Sequence, residues 1–295
     1  KLRHPSEAKT KEFLQHGVPR CVDGPAQRRA ETMELHRVMK TILSCSIKGG
    51  VGKTTVAVGT ARALQRRGLR VGILDLDYRS PCVPLMLGVD GASLGRTQAD
   101  ALVPVEAQGL YIFSMAFVWD ADQAVMVEDD GAAADVAQLL RPGVIAWPEL
   151  DYLVVDTPPT SSGIVRAALE ASTAAGAILV TQPSKVGRAA TIRTLDLFAQ
   201  KQVPVYALVS NQGTDENTGI YRYDLVHEQI EILVKQHHIP IFIAIPHARD
   251  LDVYFDSLAA QLVNTTPVLL PKPPEPEGKS WQRIVQWARQ TTQPQ

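Results

Sequence analysis

Cysteine is scarce in this chain of 295 residues: Cys21, Cys45 and Cys82 are the only three. Their odd number and wide spacing argue against a disulfide framework and for a reducing compartment. Long apolar runs are missing too, and no stretch approaches the ~18 uninterrupted apolar residues of a membrane span. Residues 1–20 are charged and carry no apolar h-region, so no secretory leader is expected and the cytoplasm is the expected location. The first residue is Lys1 rather than Met, which leaves the native start open. Charge of one sign is absent in bulk. The formal net charge is −1, which argues against a strongly basic nucleic-acid binder while leaving room for a local patch. Contact with DNA or a membrane is therefore not indicated by net charge. Internal repeats are absent, and low complexity is confined to Pro267–Pro276, a stiff Pro-rich connector.

What is present suits a folded chain. Hydrophobic residues make up 45% and charged residues 21%, enough to bury a core and too apolar for wholesale disorder. The length allows two domains, but a single α/β domain of ~250 residues is ordinary. Residues 1–40 hold nine Lys/Arg against five Asp/Glu, interrupted by Pro5, Pro19, Gly24 and Pro25. They read as a basic surface extension of one or two short helices, a solvated arm before a DNA-binding one. Residues 41–295 read as the main domain, including the connector at 267–276 and a C-terminal helix.

In that domain short continuous apolar runs alternate with helical patterns. Thr41–Ile47, Val71–Leu76, Leu110–Met115, Leu153–Val155, Ala177–Thr181, Val205–Ser210 and Ile241–Ile245 read as strands. Continuous rather than alternating runs suit strands buried on both faces. Alternation with helices implies right-handed crossovers, hence an α/β fold: a mostly parallel twisted sheet with helices on both faces. The first helix spans Thr54–Arg67. It ends in Arg66 and Arg67, cations at the negative end of its dipole, with Gly68 as the C-terminal cap.

The strongest chemical signal is Lys48-Gly49-Gly50-Val51-Gly52-Lys53-Thr54-Thr55, lying between the first strand and the first helix. Glycines let backbone N–H groups turn inward around phosphate oxygens, and the helix N-terminus adds partial positive charge at the same place. Strand, loop and helix together mark a P-loop. Lys53 is placed to reach the β- and γ-phosphates of a nucleotide, and Thr54 to ligate Mg²⁺. A second signal is the acid-ended strand Asp75-Leu76-Asp77, continuing through Tyr78–Pro84 into Met86-Leu87-Gly88-Val89. Acids at a strand's carboxyl end beside a phosphate site can orient water or metal. Alone, they could equally cap a turn. A third is Tyr152-Leu153-Val154-Val155-Asp156-Thr157-Pro158-Pro159, where Asp156 fits a Walker B carboxylate supporting the Mg²⁺ shell, or, taken alone, a cap at the edge of the sheet.

Position 47 is Ile where a standard phosphate loop begins with glycine, and Lys48 follows. That spelling resembles the deviant Walker A of the MinD/ParA/Mrp class of ATPases. The resemblance implies that Lys48 reaches across a dimer to the partner's nucleotide. The segment from Asp75 to Val89 resembles switch I of Mrp-type ATPases, implying that Asp77 positions the attacking water and joins Thr54 and Asp156 at the Mg²⁺. Thr157-Pro158-Pro159 resembles switch II, although Thr160-Ser161 stands where Gly-Thr is usual. Thr181-Gln182-Pro183 through Leu197-Phe198 resembles the strand-to-helix stretch after switch II. Asn211, after the strand ending at Ser210, resembles the residue that recognises adenine. Ile245-Pro246, with Arg249, resembles the loop covering the base. In order and spacing the likeness spans roughly residues 40–290.

Mrp-type carriers place Cys-x-x-Cys shortly after that Asn and use it to share an iron–sulfur cluster between subunits. Here the stretch Gln212–Tyr221 contains no cysteine, and such clusters normally take four thiolates. A resident Fe–S cluster is not expected. Cys45 reads as core filler and Cys82 as a small packed residue, with a ligand or redox role in switch I as the alternative. Near the C-terminus Trp281, Ile284, Val285 and Ala288 form an apolar stripe, with Lys279, Arg283 and Arg289 adding positive charge. The stripe reads as a helix docked on its own domain, with a MinD-like membrane helix as the alternative. The chain is thus expected to bind MgATP, to hydrolyse it slowly, and to form an ATP-dependent homodimer. Its role would be that of a Mrp-like assembly or maturation factor acting on an unidentified protein partner or cargo. The alternatives are a MinD/ParA-like positioning switch and a subunit that holds nucleotide as structural glue.

Overall fold

The computed structural model describes residues 39–78, 80–118, 129–158, 162–170, 175–215, 224–247 and 250–272. Ten strands alternate with seven helices among them. The strands are β1 (Lys40–Cys45), β2 (Val71–Asp75), β3 (Gly95–Arg96), β4 (Leu102–Val103), β5 (Val105–Ala107), β6 (Leu110–Ser114), β7 (Tyr152–Asp156), β8 (Ala175–Thr181), β9 (Val205–Asp215) and β10 (Ile241–His247). The helices are α1 (Lys53–Arg66), α2 (Val83–Leu87), α3 (Asp129–Leu139), α4 (Ser162–Glu170), α5 (Lys185–Lys201), α6 (Asp224–Gln236) and α7 (Asp252–Asn264). Eight strands form one sheet in the order β10-β9-β8-β1-β7-β2-β6-β5. All its pairings are parallel except β5 with β6, and β3 pairs antiparallel with β4 in a small separate ribbon. These three antiparallel strands are only two or three residues long, too short for a sequence pattern to reveal.

The continuous apolar runs are explained by burial on both faces. Ile42, Ile73, Val154 and Ile178 turn one way and share a core with Val56 and Leu64 of α1 and Phe255 and Leu258 of α7. Their strand neighbours Leu43, Leu74, Leu153, Val155 and Leu179 are equally buried, and period-2 alternation puts them on the opposite face. The connections agree. From β1 through α1 the chain moves one way along the sheet, and from β7 through α4, α5 and α6 it moves the other. Right-handed crossovers then set α1 on one face and those helices on the other. Helix α7 returns to pack on α1, and the approach is close: a Cβ at Gly59 would overlap the Phe255 ring.

The start of the connector is anchored, since Val268 and Val205 exchange two backbone hydrogen bonds of 2.8 and 2.9 Å. The N-terminal extension, the C-terminal stripe Trp281–Ala288 and Arg249 lie outside the described residues. No helix among the described residues is long and apolar enough to cross a membrane.

Candidate functional site

The parallel strands β1, β2, β7, β8 and β9 all end at one rim, where an open α/β sheet gathers its ligands. The phosphate loop leaves β1 there. Gly50 (φ 71°) and Gly52 (φ 91°) take left-handed conformations that L-residues rarely adopt. A Cβ at Gly52 would collide with the Asn211 amide nitrogen. Helix α1 starts at Lys53 with no side-chain cap on its first turn and no acid there. Its leading N–H groups are therefore left for an anion. The loop is braced from beneath: Ser44 Oγ donates to the Lys53 carbonyl at 2.9 Å, and Thr157 Oγ1 donates to the Ser44 carbonyl at 2.8 Å. From the side, Asn211 Nδ2 donates to the Val51 carbonyl at 2.9 Å. Lys53 is buried while Gly49 and Gly50 are exposed, and Lys48, Gly52, Thr54 and Thr55 are half-buried. The site thus presents a glycine rim over a sunken cation.

Burial lowers the Lys53 ammonium from its usual range, and the carboxylates of Asp156 and Asp77 pull it back up. Register puts Asp75 and Asp156 side by side on β2 and β7, and both are essentially inaccessible. Both carboxyls are desolvated, and the Asp75 charge adds to the rise at Asp156. Burial first, then in part the neighbouring charges, pushes Asp75 to about 7 and Asp156 to about 8. Asp75 is well satisfied, accepting from the Asp77 and Val83 amides at 3.1 and 3.3 Å and from Ser114 Oγ at 2.9 Å. Asp156 accepts from the Thr54 hydroxyl, yet its Oδ1 has no hydrogen-bond partner among the described residues. A half-satisfied buried carboxylate beside a threonine hydroxyl is the oxygen donor set that Mg²⁺ takes, with water and phosphate completing the shell. The residues fit that ion. Asp77 is half-buried beside them, its Oδ1 accepting the Ser80 amide at 3.1 Å.

Two expectations need correction. Asn211 does not follow its strand but lies inside β9, because β9 runs on through a bulge opposite Ile245 and His247 of β10. Its side chain is buried on the phosphate loop. Pro246 likewise lies within β10 rather than in a loop, as an edge strand allows because its outer N–H groups have no ladder partner. Cys45 is packed beneath the loop, its thiol pushed up to about 12 by burial. Cys82 is exposed and donates to the Ser80 carbonyl at 3.2 Å. Partial burial and then the acids nearby raise its thiol, the reverse of what a reactive thiolate needs. Among the described residues no group of His, Cys, Asp and Glu is clustered to hold a metal by itself. Ser44, Ser114, Gln182 and Gln212 were not legible as site residues. For Ser44 the signal was a polar residue inside an otherwise apolar strand run.

Residues 37–286 match the model of a family described as ParA: NUBPL iron-transfer P-loop NTPase. The chain belongs to this family of P-loop NTPases. This ParA-type NTPase is similar to an iron–sulfur cluster carrier protein of Deinococcus radiodurans, 37% identical over 204 residues that cover 68% of this chain and 57% of the relative. The match therefore spans little more than half of that relative's length. A second iron–sulfur cluster carrier protein, from Pseudomonas fragi, is 29% identical over 268 residues and 90% of both chains. Among solved structures, a nucleotide-binding protein from Archaeoglobus fulgidus in complex with ADP superposes with a TM-score of 0.60 at 26% identity, covering 80% of this chain and 95% of that one. The cell division ATPase MinD of Pyrococcus furiosus shares the fold, with a TM-score of 0.52 at 18% identity over 76% of this chain and 98% of its own. The mostly parallel P-loop fold and the likeness to Mrp-type proteins both hold.

Proposed function

We propose that this ParA-type NTPase binds MgATP between two protomers and hydrolyses it slowly. The resulting dimer is a switch serving iron–sulfur assembly or maturation without a cluster motif of its own. The observation that carries the reading is the uncapped first turn of α1, set beneath a left-handed glycine loop with Lys53 sunk among Asp77, Thr54 and Asp156. The loop amides and Lys53 bind the β- and γ-phosphates. Thr54 and Asp156 hold the Mg²⁺ that neutralises phosphate charge. Asp77, on the turn after β2, orients the attacking water, with its carboxylate fixed by the Ser80 amide. Asn211 and Pro246 are the proposed adenine contacts, and Asn211 also braces the loop through the Val51 carbonyl. Lys48 acts on the partner's nucleotide, where a cation supplied in trans can be worth ~10³–10⁵ in phosphoryl transfer. The iron–sulfur role rests on what the relatives are named. The missing Cys-x-x-Cys in Gln212–Tyr221 makes the chain a handler rather than a holder of clusters.

The test is phosphate release at saturating MgATP across a wide range of protein concentration. The rate per protomer should climb as protomers pair. A rate per protomer that stays flat from nanomolar to tens of micromolar would rule out the dimeric switch.

A further inference from the structure

The Lys48 ammonium is not loose. Lys48 Nζ donates to Gln182 Oε1 at 2.9 Å. The same Gln182 amide gives its Nε2 to Gln212 Oε1 at 2.6 Å and to the Gly50 carbonyl at 3.4 Å. An ammonium can only donate, so Gln182 Oε1 must face Lys48, which leaves the NH₂ for the other two. Both polar atoms of this side chain are thereby engaged. Sheet register delivers the partners. Cys45 of β1 pairs with Leu179 of β8, and Thr181 of β8 pairs with Ser210 of β9. The residues just past these pairs, Lys48, Gln182 and Gln212, therefore emerge abreast at the same rim. Gln212 sits where β9 bulges, with Ile245 opposite Asn211 but His247 opposite Asp215. Its φ of 59° is the left-handed conformation that a non-glycine residue keeps only when its surroundings hold it there. Bulges re-aim side chains, and here the re-aimed amide meets Gln182.

We infer that Gln182 is a positioning residue for Lys48: it holds the ammonium within its own subunit, braced by Gln212, and must release it before the lysine can serve a second copy of this chain. This rests on the reading that Lys48 acts across the dimer. A hydrogen bond to a charged group is worth about tenfold in an equilibrium. Two such holds open per dimer, so their loss should tighten the dimer by about 100-fold.

The experiment is sedimentation of the full chain across protein concentration with Mg²⁺ and a non-hydrolysable ATP analogue. Gln182→Ala removes the hold and should form dimer at lower concentration than the unaltered chain. Gln182→Glu sets a carboxylate against the Lys48 ammonium, an ion pair stronger than the present bond from ammonium to neutral amide, and should need a higher concentration. Gln212→Ala removes only the brace and should tighten the dimer less than Gln182→Ala. Opposite shifts for Ala and Glu support the inference, because simple damage to the loop would weaken both. Two weakened variants, or two unchanged ones, overturn it. Lys48→Ala separates the layers. If it abolishes the dimer while Gln182→Ala changes nothing, only the hold is wrong. If it dimerises normally, Lys48 does not act in trans and the hold has no role.

Discussion

Lys53 and Asp156 carry opposite burdens in the absence of nucleotide. The lysine is an ammonium forced underground, and the aspartate is a carboxyl kept partly protonated by its own burial and by Asp75. Lys53→Ala should weaken ATP binding by at least about 100-fold in titration calorimetry, since no other cation among the described residues is buried. Unchanged affinity would remove the loop from the binding site. The paired acids also set a pH dependence. Unfolded, each would ionise near the usual aspartate value of ~3.9. Folded, they hold their protons to about 7 and about 8. Between these limits the native state binds more protons than the unfolded one, so stability falls as pH rises from about 4 to about 8. Below that window the two states are equally protonated and the effect vanishes. Asp156→Asn should therefore stabilise the nucleotide-free protein at pH 8, by on the order of 2 kcal/mol, and flatten the decline. The same variant should lose the Mg²⁺ dependence of ATP binding. Thermal melts at pH 5 and pH 8 check the first part. Greater stabilisation at pH 5 than at pH 8 would refute it.

At the scale of elements, α1 is held on both sides, by the sheet beneath and by α7 above. The contact at Gly59 leaves no room for a methyl group against Phe255. Gly59→Ala should destabilise by about 1–3 kcal/mol through overpacking, and Phe255→Leu in the same chain should recover part of the loss. Strict additivity of the two in denaturant unfolding would show that they do not meet. The same scale shows what the sequence could tell. Seven of the eight strands of the main sheet were legible as uninterrupted, mostly apolar runs, written by burial on both faces in the inner strands and by an apolar edge in β10, where burial alternates. Helix α1 was legible from the phosphate loop before it and Gly68 after it. Strand β5 was not, because Val105–Ala107 lies on the edge, and only its pairing with β6 makes it a strand. The same holds for the site. Lys53, Thr54 and Asp156 follow from motif spelling. The bonding of Ser114 to Asp75, and of Gln182 to both Lys48 and Gln212, joins segments far apart in the chain. Only strand order brings them together.

For the whole molecule, the thiols decide what it can carry. Cys45 is sealed in the core and Cys82 is the exposed thiol among the described residues. Two copies would offer two Cys82 thiolates against the four a cluster usually takes. Anaerobic reconstitution with iron and sulfide should leave no stable cluster absorbance, and stoichiometric iron and sulfide would instead implicate Cys82 together with Cys21. The strand order has a further consequence, in time rather than in space. The strand that launches the phosphate loop lies in the middle of the sheet, where Lys40 pairs with Tyr152 and Thr41 with Ala175. On the ribosome β1 is made early and then waits for both neighbours while more than half of its domain is synthesised. Closing such distant pairings is slow, and the unpaired apolar strand is open to misassociation meanwhile. On the proposed reading the loop can take nucleotide only after residue 181 has emerged, which makes nucleotide binding a late and faithful report that the centre of the sheet has closed.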